Sequence, residues 1–423
     1  MLLSSLCLAL LLPAVVEAQY ETYSFKRFPQ KELMPLDSSY NYALEQYAAE
    51  NWAESVKFLE LSLRLRRLLR DSETLCSRNC SSVGRDNATL FSDSSLRVVR
   101  HILLRAACLK KCKADFPVFN LSYPHRDLLE TFEKRVPYRY IQYAHFKLNN
   151  MEKAVSAAHT FLKKNPTDPY LMKNMKHYKT LLDVEEHLID HEQQPYESAF
   201  LKSVKLYNSG DFSNSARNME QAITHYFEIY GLCLAGCEGS YEILEFKDFY
   251  PTLADLYTDA LKCKVTCDQN LTPSVGGFFV EKFVANMYHY LQFSYYKLND
   301  VKSAASCAES YMLFDRKDQV MQQNIAYYRF HREEWGLEEV DFQPRPEALQ
   351  YFNQTTKQKE MLEFALNYLQ TEDEDVVGPE ETASSRTEHS DAEFEGMGDY
   401  EESFLAEWWQ EPQTKWDNGK VVD

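Results

Sequence analysis

The sequence predicts an all-α protein of tetratricopeptide-like helical repeats, arranged as two duplicated halves, with a disordered acidic C-terminal tail. Three observations predict this fold class. Glycine is scarce, with 12 in 423 residues, against a usual share of about 7%, and alternating strand-like patterns are hard to find. Four segments have the pattern of helix pairs, and eight cysteines form two sets with the same Cys-x-x-x-Cys spacing. We therefore expect each half to contain a disulfide-linked helical hairpin.

Residues 1–18 have the features of a secretory signal peptide. An apolar run from Leu6 to Val16 precedes Ala18, and we expect cleavage between Ala18 and Gln19. The run is too short to span a bilayer as a helix, which needs about 20 apolar residues. No later segment is long and apolar enough, so we expect no membrane insertion. The mature chain is predicted to occupy an oxidising compartment, where disulfides persist.

Four helix pairs are predicted, at residues 38–70, 136–168, 196–228 and 286–318. In each pair, two apolar-periodic segments are separated by a short polar turn. Small residues follow the turns, at Ser55, Ala154, Ala216 and Ala304. This is the tetratricopeptide pattern, in which two helices of a unit of about 34 residues pack closely through small side chains.

The cysteine sets come after the first and third helix pairs. They are Cys76, Cys80, Cys108 and Cys112, and then Cys233, Cys237, Cys263 and Cys267. Residues four apart share one helical face, so two antiparallel helices would bring the outer cysteines together and the inner ones together. The predicted disulfides are Cys76–Cys112, Cys80–Cys108, Cys233–Cys267 and Cys237–Cys263. Two zinc sites are the alternative, which the predicted compartment disfavours.

Two further cysteines lie outside the sets. Cys7 would leave with the signal peptide, and Cys307 would remain without a partner in its own chain. We expect Cys307 to be a buried thiol, because it lies on the second helix of a repeat beside Ala304 and Ala308. A disulfide between two chains is the alternative.

A shift of 150 residues superposes parts of the sequence on itself. It aligns Tyr138 with Tyr288, Gln142 with Gln292 and Asn149 with Asn299, among others. We infer an internal duplication, with a first half at residues 19–190 and a second half at residues 191–370.

Residues 371–423 are expected to form a disordered tail. Residues 371–402 contain thirteen Asp or Glu and a single basic residue, Arg386. Such a segment has too little apolar surface to order itself. Beyond it, Trp408 and Trp409 form a short apolar island that would either fold back on the body or dock a partner.

Asparagines in glycosylation sequons agree with the secretory route. Asn87, Asn120 and Asn353 stand in plain Asn-x-Ser/Thr sequons. Asn270 and Asn79 are weaker candidates, because the sequon of Asn270 is followed by Pro273 and Asn79 lies between two bridge cysteines.

Motifs for catalysis are not found. His125-Arg-Asp127 and His389-Ser-Asp391 match the start of an iron-binding facial triad. However, His125 lies between helical segments, and no histidine follows His389. The sequence therefore predicts no catalytic residues, no metal site and no cofactor.

Several aromatic residues are candidates for docking a partner. Tyr288 and Tyr290 lie on a tyrosine-rich helix, where exposed rings could stack on extended proline-rich chains. A position in the core is the alternative for each of these rings. Trp408 and Trp409 complete the set of docking candidates.

Several motifs resemble the leprecan family, which comprises the collagen prolyl 3-hydroxylases and the cartilage-associated protein. They are Gln19-Tyr-Glu-Thr-Tyr-Ser-Phe, Glu32-Leu-Met-Pro-Leu, Leu68-Leu-Arg-Asp-Ser, the four Cys-x-x-x-Cys pairs and Met287-Tyr-His-Tyr-Leu-Gln-Phe. The similarity extends from about Gln19 to Gln370, and the tail resembles that of a non-enzymatic member of the family.

This resemblance implies a non-catalytic scaffold in the lumen of the endoplasmic reticulum. The implied partners are a collagen prolyl 3-hydroxylase, lysyl hydroxylase and a cyclophilin, with collagen chains contacted directly or indirectly and no nucleic acid. The scaffold would support lysyl hydroxylation, with prolyl 3-hydroxylation as a second reaction, and thereby collagen fibril assembly and cross-linking. Because the chain ends in Lys420-Val-Val-Asp423 rather than Lys-Asp-Glu-Leu, we expect retention through partners.

Three other functions were weighed against the scaffold. A hydroxylase would need an iron site that the sequence does not offer. A nuclear structural protein of the synaptonemal complex or nucleolus conflicts with the signal peptide and the cysteines. A secreted, calcium-buffering matrix protein would use the acidic tail, whose carboxylates lack a fixed geometry for tight binding.

Overall fold

The computed structural model describes Phe25 and residues 28–81, 94–239 and 248–369. These residues form fourteen α-helices and one two-stranded antiparallel β-hairpin. The predicted all-α fold is therefore confirmed. The signal peptide with Ala18 and Gln19, the sequon at Asn87, and the tail with Trp408 and Trp409 lie outside the described residues.

The elements follow one another in two similar series. The first comprises α1 Leu36–Ala48, α2 Trp52–Asn79, α3 Ser94–Ala114, α4 Arg126–Glu133, α5 Val136–Lys147, α6 Met151–Lys164 and α7 Pro169–Leu181. The second comprises α8 Pro195–Asn208, α9 Phe212–Gly236, α10 Phe249–Asn270, β1 Ser274–Val275, β2 Phe278–Phe279, α11 Phe283–Lys297, α12 Val301–Met312, α13 Gln319–Phe330 and α14 Pro346–Leu369. Short 3-10 turns occur at Gln30–Glu32, Pro117–Asn120, Glu185–His187 and Glu339–Phe342.

The four predicted helix pairs are α1–α2, α5–α6, α8–α9 and α11–α12. Each turn contains a residue with left-handed backbone, and these are Glu50, Asn149, Gly210 and Asn299, with φ of 59°, 60°, 82° and 59°. Glycine and asparagine adopt this conformation at low cost. Asp211 and Asp300 then cap the following helices by accepting the backbone N–H of Asn214 at 3.1 Å and of Ser303 at 3.2 Å.

Helices α2 and α9 extend beyond the predicted ends of their pairs at residues 70 and 228. They contain 28 and 25 residues and run on from the repeat to the first two cysteines of each set. The sequence from Trp52 to Asn79 contains neither proline nor glycine, so nothing interrupts α2. One helix thus belongs both to a repeat and to a disulfide hairpin, which the sequence analysis had separated.

Close packing within the pairs depends on the small residues that follow the turns. Ser55, Ala154, Ala216 and Ala304 are all buried. Ser55 donates its hydroxyl to the carbonyl of Ala43 on the facing helix at 2.9 Å, and Ser215 donates in the same way to Ser203 at 3.0 Å. The buried apolar side chains form two main clusters, at residues 36–184 and 196–351.

The structure repeats internally at the shift of 150 residues. Tyr178 donates its hydroxyl to Gln142 Oε1 at 2.6 Å, and Tyr328 donates to Gln292 Oε1 at 2.8 Å. All four side chains are buried. The matched contacts and the two core clusters follow the internal repeat, and the division into halves near residue 190 stays a prediction. Within the residues described, no helix is long and apolar enough to cross a membrane.

Candidate functional site

Two disulfide hairpins lie one in each half of the molecule. Cys76–Cys112 and Cys80–Cys108 join α2 to α3, and Cys233–Cys267 and Cys237–Cys263 join α9 to α10, with Sγ–Sγ distances of 1.99, 1.97, 2.08 and 1.99 Å. These are the pairs expected from the antiparallel arrangement. Sulfurs bonded in this way offer no thiolates to zinc. Among the described residues, the one close group of metal-ligating atoms is Cys233, Cys237 and Cys267, all of them bonded.

The two hairpins meet at Glu238. Its carboxylate accepts hydrogen bonds from Arg105 of α3 and, at 2.5 Å, from Nζ of Lys264 of α10. The end of α9 lies close to α2 here, because a Cβ at Gly236 would be in ordinary contact with Thr74 Oγ1 at 3.6 Å, and one at Gly239 with Glu73 Oε1 at 3.4 Å. The acid therefore joins the two halves at the level of their disulfides.

A groove of about 640 Å³ opens beside this junction. Its walls come from the end of α2, from Arg105 of α3, from α9, from Lys264 of α10 and from α14. Three aromatic rings and three glutamines are prominent in the lining, namely Phe227, Tyr230 and Tyr351, and Gln350, Gln354 and Gln358. Gly231 stands in the wall of α9 with no atom near its Cβ position, which leaves that side of the groove open.

The glutamines form a row along one face of α14. Their spacing of four residues places successive amides about 6 Å apart along the helix. Alternate residues of an extended chain repeat at about 6.6 Å, which is close to this spacing. The amides of Gln350, Gln354 and Gln358 can therefore hydrogen-bond to alternate peptide groups of an extended polypeptide. Gln358 already accepts from the hydroxyl of Tyr230 at 3.4 Å.

Asp268 positions the aromatic residues at the groove through hydrogen bonds. The hydroxyls of Tyr226 and Tyr351 both donate to Asp268 Oδ1, at 3.0 and 2.5 Å. Burial raises the pKa of both phenols, so they stay protonated donors. The ring of Tyr230 packs edge-on against Tyr351 with centroids 4.8 Å apart. The aromatic wall is therefore fixed before any ligand arrives.

An ion pair positions the start of α14. Arg345 makes two hydrogen bonds to the carboxylate of Glu220 on α9, at 2.5 and 2.9 Å, and Glu220 also accepts from Tyr295 at 2.7 Å. Burial alone would lower the pKa of Arg345, but Glu220 and Glu347 outweigh it and raise that pKa. This contact fixes the helix that carries the glutamine row.

Cys307 lies next to this ion pair. Its side chain is buried, and burial raises the pKa of the thiol to about 12. Nη1 of Arg345 approaches Sγ of Cys307 to 3.9 Å. The structure thus has the buried thiol expected from the sequence, and the alternative of a disulfide between chains does not fit its position.

A second polar network surrounds residues 189–192, which join the halves. Arg135 donates to Asp190 Oδ1 at 3.1 Å, while Arg67 and the hydroxyl of Tyr138 donate to Glu192 at 3.1 and 2.8 Å. Burial would raise the pKa of Glu192, but the neighbouring arginines outweigh it and hold that pKa low. The link between the halves is therefore anchored by charged groups of α2 and α5.

Titratable groups near this network have shifted pKa values. Burial lowers the pKa of His145, His159 and His191 to about 4 in each case, so these rings are neutral at pH 7. Burial, with the charge of Asp190 beside it, raises the pKa of Glu197 to about 7. His145 and His159 therefore have packing roles within their helix pair.

The structure corrects one docking candidate. Tyr288 has no exposed surface, and its ring belongs to the core of the second half, with its hydroxyl donating to Glu347 Oε1 at 3.5 Å. The prediction of Tyr288 as a docking residue is therefore wrong, because its face of α11 packs inward. Tyr290 is half-buried and packs edge-on against Tyr207, with centroids 5.0 Å apart.

The glutamine row was missed in the sequence analysis. The spacing of Gln350, Gln354 and Gln358 is visible in the sequence, but it does not indicate which neighbours that face of α14 meets. Of the sequons, Asn79, Asn120, Asn270 and Asn353 are exposed, and their glycosylation stays a prediction. His125 and Asp127 are exposed at the start of α4, and they belong to no group of three metal-ligating side chains among the described residues.

Comparisons with known proteins agree with the fold. Residues 35–332 match the model of the leprecan family TPR-like repeat region. The chain is 54% identical over 419 residues to endoplasmic reticulum protein SC65 of Rattus norvegicus, covering 96% of this chain and 95% of the relative. It is 53% identical over 378 residues to the human cartilage-associated protein, covering 89% and 94% of the two chains.

The prolyl 3-hydroxylases are more distant. Human prolyl 3-hydroxylase 1 is 34% identical over 365 residues, which cover 80% of this chain but 48% of the hydroxylase. The family model and the long, highly identical matches lead to one assignment. This chain belongs to the leprecan family.

Proposed function

We propose that this protein is a non-catalytic scaffold of a collagen-modifying complex in the lumen of the endoplasmic reticulum. It supports lysyl and prolyl 3-hydroxylation, and thereby collagen fibril assembly and cross-linking. The observation that carries the proposal is the contrast in coverage. The match spans 95% of SC65 and 94% of the cartilage-associated protein, but 48% of prolyl 3-hydroxylase 1.

The groove gives the scaffold a place to hold a polypeptide. Gln350, Gln354 and Gln358 match the peptide spacing of an extended chain, and the half-buried ring of Phe227 offers an apolar surface beside them. Aromatic-lined grooves suit proline-rich extended segments, whose ordering entropy is low. This surface suits a segment of a partner enzyme or a single collagen chain before it folds.

The compartment follows from the cysteines and the relatives. Four disulfides persist in an oxidising lumen, and two relatives carry the endoplasmic reticulum in their names. The proposed partners are a prolyl 3-hydroxylase, a lysyl hydroxylase and a cyclophilin, and binding to them retains the protein in the lumen.

A groove variant tests the scaffold directly. The variant Gln350→Ala/Gln354→Ala/Gln358→Ala changes side chains that the core does not need, and Lys357→Ala/Glu360→Ala is its matched control on exposed positions of the same helix. Both are expressed in collagen-secreting cells that lack the endogenous protein. Co-purified lysyl hydroxylase and prolyl 3-hydroxylase, and hydroxylysine at collagen cross-linking sites, are measured by mass spectrometry.

We expect the wild type and the control to restore hydroxylysine and to recover the enzymes, and the groove variant to do neither. Unchanged collagen hydroxylation in the cells that lack the protein would overturn the scaffold function. Full rescue by the groove variant would overturn only the role of the groove. Turnover of iron and 2-oxoglutarate by the purified chain would instead establish an enzyme.

A further inference from the structure

Helix α3 projects beyond the end of its partner helix. Helix α2 ends at Asn79, and the next residue, Cys80, is bonded to Cys108 of α3. Because the two helices are antiparallel, the fourteen residues from Ser94 up to Cys108 continue past the end of α2. At 1.5 Å per residue, this projection is about 21 Å long.

The projection exposes an apolar face. Its side chains with large exposed fractions, between 39% and 64%, are Leu96, Val98, Val99, Ile102 and Leu103. At 100° per residue these positions cover about half of the helix circumference, on the side opposite Cys108 and Cys112. Contiguous exposed apolar side chains of this size mark interaction sites in soluble proteins.

All the charged residues of α3 are basic. They are Arg97, Arg100, Arg105, Lys110, Lys111 and Lys113, and the helix contains no Asp or Glu. This is unusual in a chain with a formal net charge of −18. Arg105 is used in the bond to Glu238, whereas the half-buried Arg100 borders the apolar face beside Leu96 and Leu103, and Arg97 is exposed on the other side of the helix. The surface is therefore both apolar and positively charged.

The second half contains a natural control. Helix α10 projects by the same fourteen residues, from Phe249 up to Cys263, and exposes Phe249, Tyr250 and Tyr257. Its projecting part carries Asp255, Asp259 and Lys262, so it lacks the positive charge of α3. The two projections have the same backbone and different surface chemistry.

We propose that the projecting half of α3 binds an acidic segment of a partner protein that carries apolar side chains on one face. The apolar face of such a segment would cover Leu96, Val99 and Leu103, and its carboxylates would meet Arg100 at the border of the face, with Arg97 adding positive charge to the same helix. Pairing of α3 with α3 of a second copy would bring like charges together. The proposal goes beyond the collagen-related function and does not depend on it.

The test uses the full chain and two synthetic helical peptides. Both peptides carry leucine on one face, and the polar positions are glutamate in one and lysine in the other. Binding is measured by fluorescence anisotropy at low and high salt. The variants are Leu96→Ser/Val99→Ser/Leu103→Ser and Arg97→Glu/Arg100→Glu on α3. The matched control is Phe249→Ser/Tyr250→Ser/Tyr257→Ser on α10.

We expect the wild type to bind the glutamate peptide about tenfold or more tightly than the lysine peptide, with weaker binding at high salt. Both α3 variants should lose this binding, and the α10 control should keep it. Because all the substituted side chains are exposed or half-buried, disulfide mapping and circular dichroism should confirm that every variant is folded.

Four outcomes would overturn the proposal. One is failure of the wild type to bind the glutamate peptide, and another is equal binding of both peptides. The third is binding of phosphatidylserine vesicles that the arginine variant abolishes, which would assign α3 to a membrane surface. The last is self-association by sedimentation that the α3 variants remove, which would assign it to a second copy.

Discussion

The hairpins α2–α3 and α9–α10 share their frame and differ in the side chains they expose. In both, two disulfides join cysteines four residues apart, and the second helix projects fourteen residues beyond the inner bridge. One projection is basic and aliphatic, whereas the other is aromatic and nearly balanced in charge. The disulfides fix the backbone of each hairpin independently of its exposed side chains, so the two hairpins can bind different partners.

The two cores also differ, at two glutamates that occupy matching positions of α2 and α9. Glu60 on α2 lies 3.9 Å from Nε2 of His145, and burial raises the pKa of Glu60. Glu220, at the matching position of α9, is held by Arg345 and Tyr295. In the first half the charges of Lys153 and Arg64 offset the burial of Glu60 only in part, whereas in the second half Glu220 forms an ion pair that positions α14.

We expect the largest loss of stability when one disulfide is removed from either half, and the two losses test whether the hairpins are equivalent. The inner bridges Cys80–Cys108 and Cys237–Cys263 close loops of similar length, with sequence separations of 28 and 26. The variants Cys80→Ser/Cys108→Ser and Cys237→Ser/Cys263→Ser should each lose about 3–4 kcal/mol of unfolding free energy in urea. A loss in one half alone would show that the two hairpins do not contribute equally.

The matched acids should respond very differently to substitution. Arg345→Ala leaves Glu220 half-buried without its cation, and we expect a loss of about 2–3 kcal/mol. Glu60→Gln removes an acid without an ion pair, so its effect should stay within about 1 kcal/mol. Thermal unfolding of both variants checks this, and comparable losses would contradict the contrast between the cores.

Acid should weaken the first half before the second. The unfolded chain protonates His145, His159 and His191 below pH 6.5, whereas in the folded chain their pKa values lie at about 4. The stability from these groups is complete above pH 6.5 and is lost as the pH falls from 6.5 to 4, at roughly 1–2 kcal/mol per histidine after allowing for solvent. Hydrogen exchange at pH 7 and pH 5 should show loss of protection in α5 and α6, and little change in α11 and α12.

Glu197 should give a pH dependence of stability opposite to that of the histidines, and it therefore provides a control. Its pKa is raised to about 7, so ionising it costs stability as the pH rises from 4.5 through 7. Glu197→Gln should therefore stabilise the protein at pH 8 and have little effect at pH 5. A stabilisation that is the same at both values would show that the charge of Glu197 is not its cause.

The smallest effects should be equal in the two halves. Tyr178→Phe and Tyr328→Phe each leave a buried glutamine oxygen without its tyrosine donor, on Gln142 and Gln292. Each should cost about 1 kcal/mol, and the double variant should cost the sum, because the sites are distant. Unequal losses in chemical denaturation would show that the duplicated cores have diverged.

Much of the fold could be predicted because its signals are local. Turn residues such as Asn149 and Asn299, and cysteines four apart, determine which helices pair and which thiols meet. The inward orientation of Tyr288 and the row from Gln350 to Gln358 depend on how helices distant in sequence pack together. The length of α2 was also missed, because a tetratricopeptide unit predicts a stop that no residue between Trp52 and Asn79 imposes.

The unbroken helices α2 and α9 have a mechanical consequence. Each is a rigid rod, about 42 and 38 Å long at 1.5 Å per residue, that passes from a repeat into a disulfide hairpin without a hinge. A load applied at the tip of α3 is therefore transmitted through the disulfides to the repeat that contains Ser55, and a hairpin cannot swivel unless a helix bends. A partner bound at that tip would therefore be held at a fixed distance and angle to the repeats.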